Sequence, residues 1–141
     1  MAITSDVEWD TFIHENLIQH GIVNGVALIT RQCQIVYSYG SLQDLEQSNW
    51  EQFGNLFFSL SPEQDQPLFA RGFNLPVDNE MKNFKIYKKT NCSIYATSHG
   101  NKLGLIVCNL PYGVLICTYG YPHTAGIAVK HVEQFSDLLR R

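Results

Sequence analysis

Apolar residues recur along this chain with two periods. Trp9, Phe12, Ile13, Leu17 and Ile18 are spaced by three and four residues, which puts them on one stripe of a helix. Ser5-Asp6-Val7-Glu8 ahead of them has the capping-box pattern that opens a helix, and His20-Gly21 closes it. Val23 to Thr30 (VNGVALIT) is an apolar run rich in β-branched residues and predicts a strand. After the polar break Arg31-Gln32-Cys33-Gln34, Ile35 to Tyr39 (IVYSY) predicts its returning hairpin partner. Leu45 to Phe58 has helical character, with Trp50, Phe53, Leu56 and Phe57 on an apolar stripe and Gly54 as its weak point.

The period shortens further along. Ser61 to Gln66 (SPEQDQ) reads as a loop, Leu68 to Leu75 as a short edge segment interrupted by Gly72, and Pro76 to Asn83 as a second polar loop. Four strands are then predicted, at Phe84 to Lys88, Cys92 to Ser98, Leu103 to Cys108 and Val114 to Tyr119. Turn residues separate them at Lys89-Thr90-Asn91, His99-Gly100-Asn101 and Pro111-Tyr112-Gly113. Thr124 to Arg141 closes the chain as a helix with Ile127, Val132, Phe135, Leu138 and Leu139 on one face, and with Arg140 and Arg141 where cations suit the helix dipole. No repeat, low-complexity tract or linker interrupts this order. The expectation is one α+β domain over residues 1–141, an antiparallel sheet covered by helices.

Composition narrows the chemistry. With 141 residues and 45% hydrophobic content, the chain buries enough surface to fold without a metal or a disulfide. Its 10 Lys+Arg against 13 Asp+Glu exclude a general attraction to nucleic acid. No run approaches the ~20 apolar residues of a membrane span. The acidic start MAITSDVEWD lacks the basic region of a signal peptide, so a cytoplasmic location is expected. Cys33, Cys92, Cys108 and Cys117 fit no metal spacing and read as free thiols in strands. There is no G-x-S-x-G, H-E-x-x-H or phosphate-binding glycine loop. The chain is therefore read as a binding protein with neither catalytic residues nor cofactor, a Cys–His dyad assembled in space being the remaining enzymatic alternative.

The aromatic content stands out at 12%. Trp9 lies one turn before Phe12, so both share a helical face. An aromatic pair with polar donors at its edge suits a proline-rich ligand. Such a chain is already extended, presents flat rings, and has free carbonyls for a Trp N–H or Tyr O–H.

With these residues in view the sequence resembles a profilin over nearly its whole length. Trp9-Asp10-Thr11-Phe12-Ile13-His14-Glu15-Asn16-Leu17 is similar to the family's W-x-x-[YF]-[IV]-x-x-x-L opening helix. Gly25-Val26-Ala27-Leu28-Ile29 resembles its first strand. Ile35-Val36-Tyr37-Ser38 resembles its second, with Tyr37 where most members carry Trp. Thr124-Ala125-Gly126, Val132-Glu133 and Asp137-Leu138-Leu139 resemble the closing helix. Asp44 to Asn83 matches only in layout.

The resemblance implies a fold in which the N- and C-terminal helices pack side by side on one face of a central antiparallel sheet, with shorter helices on the other. It implies monomeric actin and proline-rich protein segments as partners, and phosphoinositide headgroups as a further ligand. The proline-rich site carried over by position is Trp9, Phe12, Tyr37 and Leu138, with Leu139 beside it. Phe12 lacks the hydroxyl that many members have there, and losing one neutral hydrogen bond weakens binding roughly 2- to 13-fold. The actin site carried over is Lys88, His123, Ala125, Val129 and Glu133. Val129 stands where animal members have Lys, and Cys108-Asn109-Leu110 replaces a K-T-[DN] turn, so weakened actin binding is expected. Lys82, Lys85, Lys88 and Lys89 are the basic cluster available to an anionic headgroup. Two alternatives are a profilin-like module that has lost most actin affinity and an unrelated roadblock- or longin-like scaffold. The scaffold reading is separated by whether the first and last helices share a sheet face.

Overall fold

The computed structural model describes residues 6–43, 45–54, 56–57, 61–77 and 79–140. The capping box at Ser5-Asp6-Val7-Glu8 and the fate of Phe58 and Arg141 lie outside the described residues or side chains. Helix α1 (Asp6–Ile13) runs into a π turn (His14–Ile18) and is followed by β1 (Gly25–Thr30) and β2 (Ile35–Gly40). Two helices come next, α2 (Gln47–Glu51) and α3 (Pro62–Arg71). Five strands follow: β3 (Phe73–Val77), β4 (Glu80–Lys89), β5 (Ser93–Ser98), β6 (Leu103–Leu110) and β7 (Gly113–Gly120). Helix α4 (Ala125–Arg140) ends the chain.

All seven strands form one antiparallel sheet in the order β2-β1-β7-β6-β5-β4-β3. The connection from β1 and β2 across to β7 brings the ends of the chain together. β1 and β7 are buried along almost their full length because helices cover both faces of the sheet there.

Alternation along the strands divides the core in two. Val26 and Leu28 of β1, Ile106 and Cys108 of β6, and Leu115 and Cys117 of β7 face Ile13, Leu17, Val132, Phe135 and Leu139 from α1, the π turn and α4. The intervening residues, among them Ala27, Ile29, Leu105, Val107 and Ile116, face Trp50, Phe53, Leu56 and Leu68 from α2, the turn after it and α3. The terminal helices thus share one sheet face and the short helices hold the other. This arrangement is the one the sequence resemblance implied, and it excludes the scaffold alternative that places them on opposite faces. Each fully buried residue of leucine size contributes ~1.5–3 kcal/mol. Helix α4 is therefore firmly anchored through Ala128, Val132, Phe135 and Leu139, whereas α3 buries only Leu68.

The π turn has a local cause. Asn16 donates its side-chain amide to the Phe12 carbonyl at 2.8 Å, intruding on the i→i−4 ladder, and Gln19 N–H reaches back to His14 O at 2.9 Å. The wider turn brings consecutive Leu17 and Ile18 both into the core.

Several expectations are corrected. Ser61 to Gln66 is not a loop, and Leu68 to Leu75 is not one edge segment. The span is α3 followed by β3. Pro62 at the start of α3 pre-sets helical φ, Glu63 and Asp65 suit its first turn, and Arg71 its last. Gly72 then stops it at φ +65°, ψ −156°, where a Cβ would lie 2.4 Å from Phe84 O. Pro76 to Asn83 is the β3–β4 turn with flanking strand, because Asn79 adopts a positive φ of 64° and closes a hairpin there. The helix expected over Leu45 to Phe58 is confined to Gln47–Glu51 and its flanking turns. On α4, Ile127 is 52% exposed and Ala128 takes its place in the core, since Thr124 caps the helix from outside and sets the phase. Only Cys108 and Cys117 lie in strands; Cys33 and Cys92 sit in turns. Phe69 of α3 is 37% exposed.

Candidate functional site

Trp9 and Phe12 lie on α1, Tyr37 on edge strand β2, and Leu138 on the last turns of α4, and all four are partly buried against the same core cluster. Phe12 meets Phe135 of α4 at a ring separation of 5.6 Å, which seats the two helices together. Tyr37 Oη donates to Asp10 Oδ1 at 3.2 Å and so ties β2 to α1 between Trp9 and Phe12. Burial first, and then the Asp10 carboxylate beside it, push the Tyr37 hydroxyl up to about 12, so it stays a protonated donor at neutral pH. Leu139 is different: it is only 7% exposed and belongs to the core, supporting the wall from behind. The result is a shallow apolar seam with an indole at one end, a phenol at its side and a leucine from α4.

Tyr112, in the turn between β6 and β7, extends this seam by packing its ring 6.3 Å from Trp9. The sequence shows Pro111-Tyr112-Gly113 only as a turn; the available signal was an aromatic residue at the tip of a tight turn, where the fold leaves it 45% exposed.

The residues carried over for actin form a second surface. Ala125, Val129 and Glu133 recur every four residues and make one half-buried stripe along α4. His123 lies two residues before the helix. Lys88 pairs with Tyr95 across β4 and β5, and Tyr95 Oη donates to Glu133 Oε1 at 3.1 Å, so Lys88 and Glu133 flank one tyrosine on the α4 face. Glu133 is heavily engaged within the molecule. Its Oε1 also accepts from Ser93 Oγ, and its Oε2 lies 3.9 Å from Arg140 Nη1. Burial and this carboxylate push the Tyr95 hydroxyl up to about 12. Arg140 additionally donates to the carbonyls of Asn109 at 3.0 Å and Cys92 at 3.2 Å, clamping the end of α4 onto the sheet.

Beside that stripe, Tyr87, Tyr119, Tyr121, Pro122, His123 and Ala125 line an open cleft of about 850 Å³. Tyr121 is 96% exposed at its rim. A neighbouring cleft of about 740 Å³ gathers Lys82, Lys85, His99 and Lys102. The four-lysine cluster read from the sequence is divided, because Lys89 is paired with Asp65 of α3 at 2.9 Å in a largely buried contact.

Three of the four thiols are poor nucleophiles for a Cys–His dyad. Burial raises Cys33, raises Cys108 to about 12 and raises Cys117 well above the ordinary thiol value. Among the described residues, no group of three or more His, Cys, Asp and Glu side chains is placed to hold a metal ion, and no helix is long and apolar enough to cross a membrane.

Comparison with known proteins places this geometry. No curated protein sequence matches the chain significantly. Profilin IA of Acanthamoeba castellanii superposes with a TM-score of 0.74 at 19% identity, over 94% of this chain and 96% of its own. LokiProfilin2, solved in complex with rabbit actin, gives 0.71 at 15% identity over 98% of both chains. Mouse profilin IIa, solved with a double repeat from the FH1 domain of mDia1, gives 0.64 at 12% identity over 94% of this chain and 96% of that one. At these identities the likeness is one of fold. The profilin family model matches residues 7–141, and on that match, with the paired terminal helices and the aromatic seam between them, the chain belongs to the profilin family.

Proposed function

We propose that this profilin binds monomeric actin through the α4 stripe and the adjoining β4–β5 surface, and binds proline-rich segments in the seam between α1, β2 and α4. One observation carries the reading: the two surfaces share a sheet face yet lie apart. Tyr37 on β2 and Lys88 on β4 are five strand positions from each other, about 24 Å at the ordinary strand spacing. That separation leaves room for an actin monomer and an extended peptide together, so the protein delivers one to the other. The resemblance of the fold to a profilin solved with actin and to one solved with an FH1 repeat supports both halves.

The seam is built for a preformed polyproline II chain. Its rings and Leu138 supply flat apolar contacts, Trp9 Nε1–H is the open donor for a ligand carbonyl, and Tyr37 Oη–H becomes one where the ligand displaces Asp10. On the actin side the free cations are few, and Val129 offers none, so affinity is set by shape and apolar contact with modest electrostatic steering. An anionic headgroup such as a phosphoinositide fits the cleft at Lys82, Lys85 and Lys102.

Two titrations test the reading. Trp50 is 2% exposed in the opposite core cluster, so a change in indole emission on adding decaproline reports Trp9. Pyrene-actin polymerisation with excess protein is expected to show slowed spontaneous nucleation and a lower filament yield. Unchanged emission removes the proline-rich half, and unchanged polymerisation removes the actin half.

A further inference from the structure

The two edges of the sheet are treated differently. On edge strand β3, Pro76 removes a backbone donor, and the Gln52 side chain occupies Asn74 from outside. Gln52 Nε2 donates to Asn74 O at 2.7 Å and Gln52 Oε1 accepts from Asn74 N–H at 2.9 Å. An amide side chain thus stands where a neighbouring strand would pair. Both devices blunt an edge.

Edge strand β2 has neither; its one irregularity is a bulge at Val36, and Tyr37 to Gly40 form a regular ladder with β1. Its sequence IVYSYG carries no charge and no proline. Ile35, Val36 and Tyr39 are 44%, 37% and 38% exposed. Ser41 N–H bonds Asn24 O, and Tyr37 and Tyr39 are in register with Leu28 and Val26. By the alternation of antiparallel ladders, Ser38 and Gly40 therefore turn their backbone groups away from β1. Gly40 O is taken by Gln43 N–H. Among the described residues nothing bonds the outward groups of Ser38.

We propose that the outer edge of β2 pairs antiparallel with β2 of a second copy of the chain, joining the two sheets in a weak twofold dimer. Three features select a second copy. Antiparallel self-pairing brings no like charges together, because residues 35–40 carry none. Pairing centred on Ser38 sets Tyr37 opposite the second copy's Tyr39, a cross-strand aromatic pair. The guarded β3 edge blocks the alternative β2-to-β3 contact, so association closes at two copies and does not propagate. Six residues span about 20 Å, and such a strip falls short of the ~1,200 Å² of a stable specific interface. The dissociation constant accordingly belongs near ~0.1–1 mM.

Sedimentation equilibrium on the full chain, carried to ~2 mM to span that range, is the test. The weight-average mass of the wild type is expected to climb from 16.0 kDa towards twice that value. Ser38→Pro removes an outward N–H without touching the β1 ladder, and Ser38→Lys places two like charges directly opposite each other on the twofold. Each is expected to weaken the dimer at least tenfold, and Ser38→Lys carries the test should Ser38→Pro not fold. A wild-type mass constant at 16.0 kDa overturns the proposal and leaves the edge to a strand from another protein or to residues before Asp6. A rise that persists unchanged in folded Ser38→Lys, or that continues beyond two copies, overturns it as well.

Discussion

In the proposed proline-rich site, Trp9 and Tyr37 would contribute by different chemistry. The indole provides area and one donor. Truncating a central aromatic of this kind removes about 2 kcal/mol of binding, or ~30-fold, so Trp9→Ala should lower decaproline affinity by that factor in isothermal titration calorimetry. Tyr37 carries a donor that is already in use, since its hydroxyl is bonded to Asp10. A ligand carbonyl must compete with that carboxylate. Asp10→Ala releases the hydroxyl and should tighten decaproline binding about 2- to 3-fold, while Tyr37→Phe should weaken it about 2-fold or more. Equal effects in both variants would show that the hydroxyl does not meet the ligand.

At the scale of elements, two junctions hold the functional surfaces in place. Helix α3 stops at Gly72, whose backbone region is essentially reserved for glycine. Gly72→Ala meets both that strain and the Phe84 carbonyl, and should cost about 3 kcal/mol, seen as a lowered Tm. The second junction is Glu133. Its carboxylate accepts from Ser93 and Tyr95 and so fastens α4 to β5. Losing two such bonds should destabilise the fold by about 1–3 kcal/mol in urea unfolding. Glu133→Ala should therefore act on stability more than on actin affinity, because its carboxylate is already engaged by Ser93, Tyr95 and Arg140.

For the molecule as a whole, the buried phenols and thiols set its response to alkali. Tyr37, Tyr95, Tyr119 and Cys108 are all raised to about 12, chiefly by burial, from ordinary values of 10.0 for the phenols and 9.0 for the thiol. As pH climbs past those ordinary values the unfolded chain loses protons that the folded chain keeps. Stability then falls with rising pH. The contribution is complete below about pH 9 and is lost progressively towards pH 12. Chemical unfolding at a series of pH values should show a plateau through the neutral range followed by this decline, and a flat profile to pH 12 would contradict it.

Much of this was legible in the residues, and the exceptions share a cause. The opening and closing helices, β1, β2 and the meander from β4 to β7 each carry their own period, because every turn of helix or pair of strand residues repeats the choice between core and solvent. The aromatic seam was legible for the same reason: Trp9 and Phe12 are one helical turn apart, and the family motif marks Tyr37 and Leu138. Helix α3 was missed because it buries only Leu68, its first half is polar, and Pro67 stands in its interior. Tyr112 against Trp9, Asp10 on Tyr37, Lys89 held by Asp65 and Gln52 guarding β3 join residues at least twenty-two positions apart. Periodicity sets which face a side chain takes within its own element. Which distant side chain it then meets depends on how the sheet orders its strands, and the strand order β2-β1-β7 that brings the two ends of the chain together arises only when the whole molecule packs.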